Sequence, residues 1–225
     1  MKELFVPKNN LKQYIYLSKN LNILEQQQNI EDPFDKLIRS FNNSFPLNEK
    51  EEEEVKRLFK KRVVKRRGFL LQEGEVCKQV SFVVSGCFKM YAVDTNFKEH
   101  NLQFAIENEW ISDIQSFYDE KPSKLYIEAV EASVVLQINH EDLLYLYINY
   151  HKFDRNFRII NERKFINFQD RILQSISFTA EERYLNFQRD FPELIKRLPN
   201  TQIASYLGIT PEFLSKVRKN IVTKK

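Results

Sequence analysis

The spacing of apolar positions changes character three times along the chain. Residues 1–33 are polar, with "EQQQN" and scattered Leu11, Ile15, Leu21 and Leu24, and read as an extension with one helical stretch. In "DPFDKLIRSF", Phe34, Leu37, Ile38 and Phe41 recur at helical steps. In "LNEKEEEEVKRLFKKRVV", Val55, Leu58 and Phe59 do the same. The acidic run Glu51–Glu54 suits the start of that second helix, where the helix dipole favours negative charge. From Gly68 the rhythm shortens to alternating runs such as "QVSFVVSGCFKMYAVD" and "KLYIEAVEASVVLQI", with Gly74 and Gly86 where turns need a positive φ. No long helical pattern interrupts these runs before residue 140. The expectation is α+β: a compact antiparallel β-roll with flanking helices over 34–140.

The third rhythm begins at His140. No Gly or Pro occurs from there to Phe178, and Leu143, Tyr147, Tyr150, Phe157, Ile160, Phe165, Phe168, Ile172 and Ile176 recur at three- and four-residue steps. This predicts one long helix over 141–177, too long for the edge of a small domain. The stripe Phe157, Ile160, Phe165, Phe168 and Ile172 is the candidate dimerisation face, and packing on the chain's own roll is the alternative. Thr179 and Glu182 stand in capping-box register and open residues 178–225.

"NTQIASYLGITPEFLSKVRKN" (200–220) carries the most specific pattern. Ile203, Leu207, Ile209, Leu214 and Val217 are the apolar positions of a helix-turn-helix. Ala204 falls at the helix crossing, and Gly208 at a turn needing a left-handed backbone. Thr210 can cap the second helix and Pro211 suits its first turn. An ordinary helical hairpin is the plainer alternative. With Leu214, Val217 and Ile221 inward, Glu212, Ser215, Lys216 and Lys219 point outward, towards a major groove if DNA is present. Glu accepts from cytosine N4 and Lys donates to guanine. Thr201, Thr210, Arg218 and Lys219 are placed to hold phosphates. A surface ion pair between Glu212 and Lys216 is compatible with either role.

Charge sharpens this picture. The whole chain of 225 residues is formally +4. Residues 196–225 hold seven cations and one acid, so this segment is +6 and the remainder −2. The basic run "KKRVVKRR" is either a nucleic-acid patch or a solvated helix end leading into the first strand. Cys77 and Cys87 are the only cysteines, and with no secretory leader they suggest a reducing cytoplasm. No apolar run approaches the roughly 18 residues of a membrane span, so no membrane partner is expected. His100, His140 and His151 show no metal spacing, and no catalytic motif appears, so neither a metal, a catalytic residue nor an enzyme is expected.

The order roll, long helix, helix-turn-helix, together with "FVVSGCFKMY", "EERYLNF" and "IASYLGITPEFLSKVRK", resembles the Crp/Fnr family of bacterial transcription regulators, of the type common in Bacteroidetes, over about residues 34–221. The resemblance implies a cyclic-nucleotide-binding-like jelly roll as sensor and a homodimer on pseudo-palindromic double-stranded DNA, with RNA polymerase as a further candidate partner. It places Glu212 and Lys216 at the base-reading positions. Pro211 stands where many members carry a base-reading Arg, and the family's wing is expected to be short or missing after Ile221. Family members that bind cyclic AMP hold its phosphate with Gly-Glu and Arg-Ser/Thr pairs; the matching positions here are Ser112-Asp113 and Ser123-Lys124. Residues 107–124 hold five acids and two lysines, and no Arg occurs between Arg67 and Arg155. A phosphate would meet repulsion and no bidentate guanidinium, so a response to cyclic AMP is not expected. No cofactor is evident; an effector of another kind stays open, as do a redox role for either thiol and a small-molecule-binding module without DNA regulation.

Overall fold

The computed structural model describes residues 31–223, and the expected extension lies outside the described residues except for its last positions. Helix α1 (Pro33–Asn42) starts on the Asp32 side chain, which accepts from the Phe34 N–H, and buries Leu37, Ile38 and Phe41. Helix α2 (Glu49–Leu58) opens with a capping box between Asn48 and Glu51. The roll follows as β1 (Lys60–Val64), β2 (Phe69–Leu71), β3 (Gln79–Ser85), β4 (Phe88–Val93), β5 (Glu99–Ala105), β6 (Trp110–Ile111), α3 (Ile114–Asp119), β7 (Tyr126–Ala129) and β8 (Ser133–Asn139). Two antiparallel four-stranded sheets result, in the orders β1-β8-β3-β6 and β2-β7-β4-β5. The basic run lies along edge strand β1 with Lys60, Lys61 and Arg62 exposed. It is thus a solvated edge, the charge that discourages edge-to-edge pairing.

Between the sheets lie Val83, Phe88, Met90, Ile127 and Val135. Gly86 (φ 99°) closes the turn between β3 and β4, and a Cβ there would stand 2.1 Å from Ser133 Oγ. A second layer, between the first sheet and the helices, is aromatic. Trp110 packs against Phe82 (5.2 Å between centroids) and Phe157 (4.9 Å), and Phe41 meets Phe153 at 5.4 Å.

The helical stretch after the roll is not continuous. Helix α4 (His140–Asn149) and α5 (His151–Ser177) are separated by Tyr150, which is extended (φ −140°, ψ 92°). The break occurs without a Gly or Pro, and the Tyr150 ring packs against those of Tyr145 and Phe153. The 27 residues of α5 span about 40 Å. Beyond it come α6 (Ala180–Asp190), which starts on the Thr179–Glu182 capping box, α7 (Pro192–Arg197), α8 (Asn200–Leu207) and α9 (Pro211–Thr223). No strand follows α9 among the described residues. Tyr184, Phe187, Leu194, Ile203, Leu207, Leu214 and Val217 form a second core. Cys87 and Phe104 of the roll belong to it, so the C-terminal helices are packed on the roll.

Candidate nucleic-acid interface and effector site

Helices α8 and α9 turn at Gly208 (φ 69°), and Ala204 is fully buried at their crossing. Leu214 and Val217 bury the inner face of α9. Glu212, Ser215, Lys216, Arg218 and Lys219 are exposed on the rest of it, and Thr201 and Thr210 are exposed nearby. Pro211, half-buried, takes the first turn. Thr210 Oγ1 accepts from the Phe213 N–H (3.2 Å). Glu212 is held by its own N–H and by Thr210, which keep its carboxyl below the ordinary range, rather than by an ion pair with Lys216. Ser215 Oγ donates to Pro211 O (3.0 Å), and Arg218 Nη1 donates to Asn200 Oδ1 (2.6 Å), tying the two helices together. Phe213, 48% exposed beside Glu212, drew no notice in the sequence because it falls off the apolar stripe. An aromatic there is suited to a thymine methyl group.

The apolar stripe of α5 divides. Phe157 is 5% exposed and packs against Phe41, Trp110 and Tyr147 of its own chain. Its expected place on a dimer face is therefore corrected: the aromatic layer of the roll takes it. Ile160 is partly buried against the same core. Phe165 (63%), Phe168 (41%) and Ile172 (59%) remain exposed, together with Leu173 and Ile176.

The docking of α8 on β5 had no signal in the sequence. Ser205 Oγ donates to Glu99 O (2.8 Å) and accepts from the Asn101 N–H (3.0 Å), and Asn101 Nδ2 donates to Gln202 O (3.1 Å). Arg171 of α5 donates to Leu102 O, to Asn101 O (2.8 Å) and to Tyr206 O (3.1 Å), its guanidinium 4.0 Å from the Tyr206 ring centroid. Arg197 of α7 grips Glu107 (2.8 and 3.1 Å) and Glu131. Burial pushes the Glu107 carboxyl up, but the Arg197 bond and backbone N–H groups outweigh it and leave it below its ordinary value. Main-chain carbonyls carry most of this joint, so side-chain patterns do not announce it.

In the cassette, Asp113 caps α3: its Oδ1 accepts from the Ser116 N–H (3.2 Å) and its Oδ2 from Ser123 Oγ (2.6 Å). Ser112 is buried beside it with its hydroxyl unpartnered. Lys124 stays exposed, outside the Ser112–Asp113–Ser123 group. The carboxylate of Asp113 thus takes the hydroxyl that a phosphate would need, and no cation joins them. Cys77 and Cys87 are both buried; burial raises the Cys77 thiol and pushes Cys87 up to about 12. Among the described residues no three His, Cys, Asp or Glu side chains gather as a metal site, and no helix is long and apolar enough to cross a membrane.

A roll feeding a long helix and a C-terminal pair of helices turned at Gly208 is a fold that the chain shares with solved structures of the Crp/Fnr type. Residues 61–150 match the family Cyclic nucleotide-binding domain. The fold is similar to that of FixK2 from Bradyrhizobium japonicum, at TM-score 0.63 and 18% identity over 74% of this chain and 86% of that one. CLP of Xanthomonas campestris, described as a c-di-GMP-responsive global regulator, gives TM-score 0.64 and 14% identity over 79% and 93%. A putative Crp/Fnr-family regulator from Eubacterium rectale gives 0.60 and 15% over 79% and 84%. No curated protein sequence matches the chain.

Proposed function

We propose that the protein is a homodimeric, sequence-specific DNA-binding transcription regulator whose roll senses something other than cyclic AMP. The observation that carries this is α9, whose inner face is buried while Glu212, Ser215, Lys216 and Lys219 point outward from a segment of net charge +6. Glu212 and Lys216 read base edges; Thr201, Thr210 and Arg218 set the register on phosphates. The exposed stripe Phe165, Phe168 and Ile172 is apolar surface that a second copy would cover, placing two reading helices on a two-fold site.

Duplex selection followed by fluorescence anisotropy tests this. Binding is expected to weaken steeply with salt, and Lys219→Ala to lower the slope of log K on log salt by about one. Lys216→Ala is expected to cost about 1–3 kcal/mol on the selected site and less on other sequences. Absence of binding at low salt, or both variants behaving as wild type, defeats the reading.

A further inference from the structure

Helix α5 carries two inward cations without a direct ion pair, and the one carboxylate acting on Lys164 among the described residues is Glu109, through space. Lys164 Nζ donates to Trp110 O (2.7 Å), a neutral acceptor, and Arg171 is spent on main-chain carbonyls. Neither makes an ion pair among the described residues. Both face a cavity of about 420 Å³ between the roll, α5 and the C-terminal helices, and Arg163 stands at the same wall. Glu109, the acid on that wall among the described residues, accepts from the Ile106 N–H (2.8 Å), and burial raises its carboxyl. The indole N–H of Trp110, also on the wall, is buried without a partner. Donors and positive charge therefore exceed acceptors here. The opposite lining is apolar, from Phe104, Phe168 and Leu194. The volume falls within the range of small-molecule pockets. No residue of the Ser112–Lys124 cassette lines it.

We propose that this cavity binds a small organic carboxylate with an apolar body. The carboxylate takes the charge of Lys164, supported by Arg163 and the Trp110 N–H, and the apolar part lies against Phe104 and Leu194. A monoanion matches one under-neutralised ammonium beside a carboxyl group; a dianion would meet Glu109. The ligand would touch roll, long helix and reader at once, through Trp110, Lys164 and Leu194. It thereby deepens the regulator reading by naming an effector class, although the binding itself is measured without DNA and stands or falls alone.

Trp110 is the only tryptophan in the chain, so intrinsic fluorescence reports on this wall. The full-length protein is titrated with 3-phenylpropionate, its uncharged amide and inorganic phosphate, with melting temperature followed in parallel. The carboxylate is expected to change Trp110 emission saturably at millimolar concentration and to raise the melting temperature. The amide and phosphate are expected to bind at least about tenfold more weakly. Lys164→Gln is expected to abolish the difference between acid and amide, and Lys164→Arg to keep it. A flat titration, equal response to acid and amide, or phosphate binding as tightly as the acid would overturn the proposal. Should Lys164→Gln fail to fold, the acid-to-amide comparison on the wild-type protein still decides.

Discussion

Replacing Arg171 by Met keeps the apolar stem and removes the guanidinium that joins long helix, roll and reader. Three charge-assisted hydrogen bonds go with it, to Asn101 O, Leu102 O and Tyr206 O. At roughly 1.5–3 kcal/mol each, the gross loss is about 5–9 kcal/mol. Against that, burial lowers the Arg171 pKa, which marks a desolvation cost of several kcal/mol that Met does not bear. The expected net loss is about 2–4 kcal/mol, which lowers the melting temperature of a chain this size by roughly 4–16 °C. The loss falls on the joint, so calorimetry should show the C-terminal helices melting ahead of the roll. Limited proteolysis should cut near Phe178 before either core opens. An Arg171→Met protein that melts with or above the wild type in one transition refutes the account, and leaves the apolar contacts of Phe104 and Tyr206 as the fastening.

Ile172→Asp or Phe168→Asp places a charge on the exposed stripe of α5 and is expected to turn a dimer into a monomer by light scattering without lowering the helical circular dichroism; unchanged mass rejects that face. Gly86→Ala combines a φ of 99° with a Cβ 2.1 Å from Ser133 Oγ and 2.7 Å from Ser133 Cα, so a loss above about 3 kcal/mol is expected in chemical denaturation. Gly208→Ala, at φ 69° with the flexible Arg183 side chain 3.7 Å from the new Cβ, should cost only about 1–2 kcal/mol; equal costs would contradict the packing argument. Both thiols are buried and raised, so Ellman's reagent should react with the folded protein only as fast as it opens, and a rapid phase would reinstate a redox role. Burial brings Lys164 from 10.5 down to about 8, so between those values the unfolded chain holds a proton the folded one has released. Stability is then expected to rise with pH across that window, and Lys164→Met to flatten the rise; an unchanged slope counts against the buried ammonium.

Much of the architecture was legible because local rules and burial agree. The capping boxes at Asn48 and Thr179, the inward faces of α1 and α9, and the left-handed turn at Gly208 each follow from residue type at fixed spacing. The break at Tyr150 was not legible, since no helix-breaking residue stands there. Phe157 shares the period of Phe165 and Phe168, and periodicity alone cannot tell an apolar side chain facing its own roll from one facing a second copy. Ser112, Asp113 and Ser123 lie together in the structure, but the Asp113–Ser123 bond depends on a loop conformation that no local pattern announces. The cavity at Lys164 joins residues more than fifty positions apart, and nothing local marks it.

The aromatic seat of α5 makes that helix a lever. Phe153 and Phe157 are fixed among Phe41 and Trp110, whereas the helix runs on to Ser177, about 30 Å beyond Phe157. A tilt of about 5° at the seat moves the far end by about 3 Å, roughly the length of a hydrogen bond. About two-thirds along the arm, Arg171 would be carried about 2 Å from its carbonyls on β5, enough to release its grip. A displacement too small to notice at the roll is thus amplified where the reading helices are held.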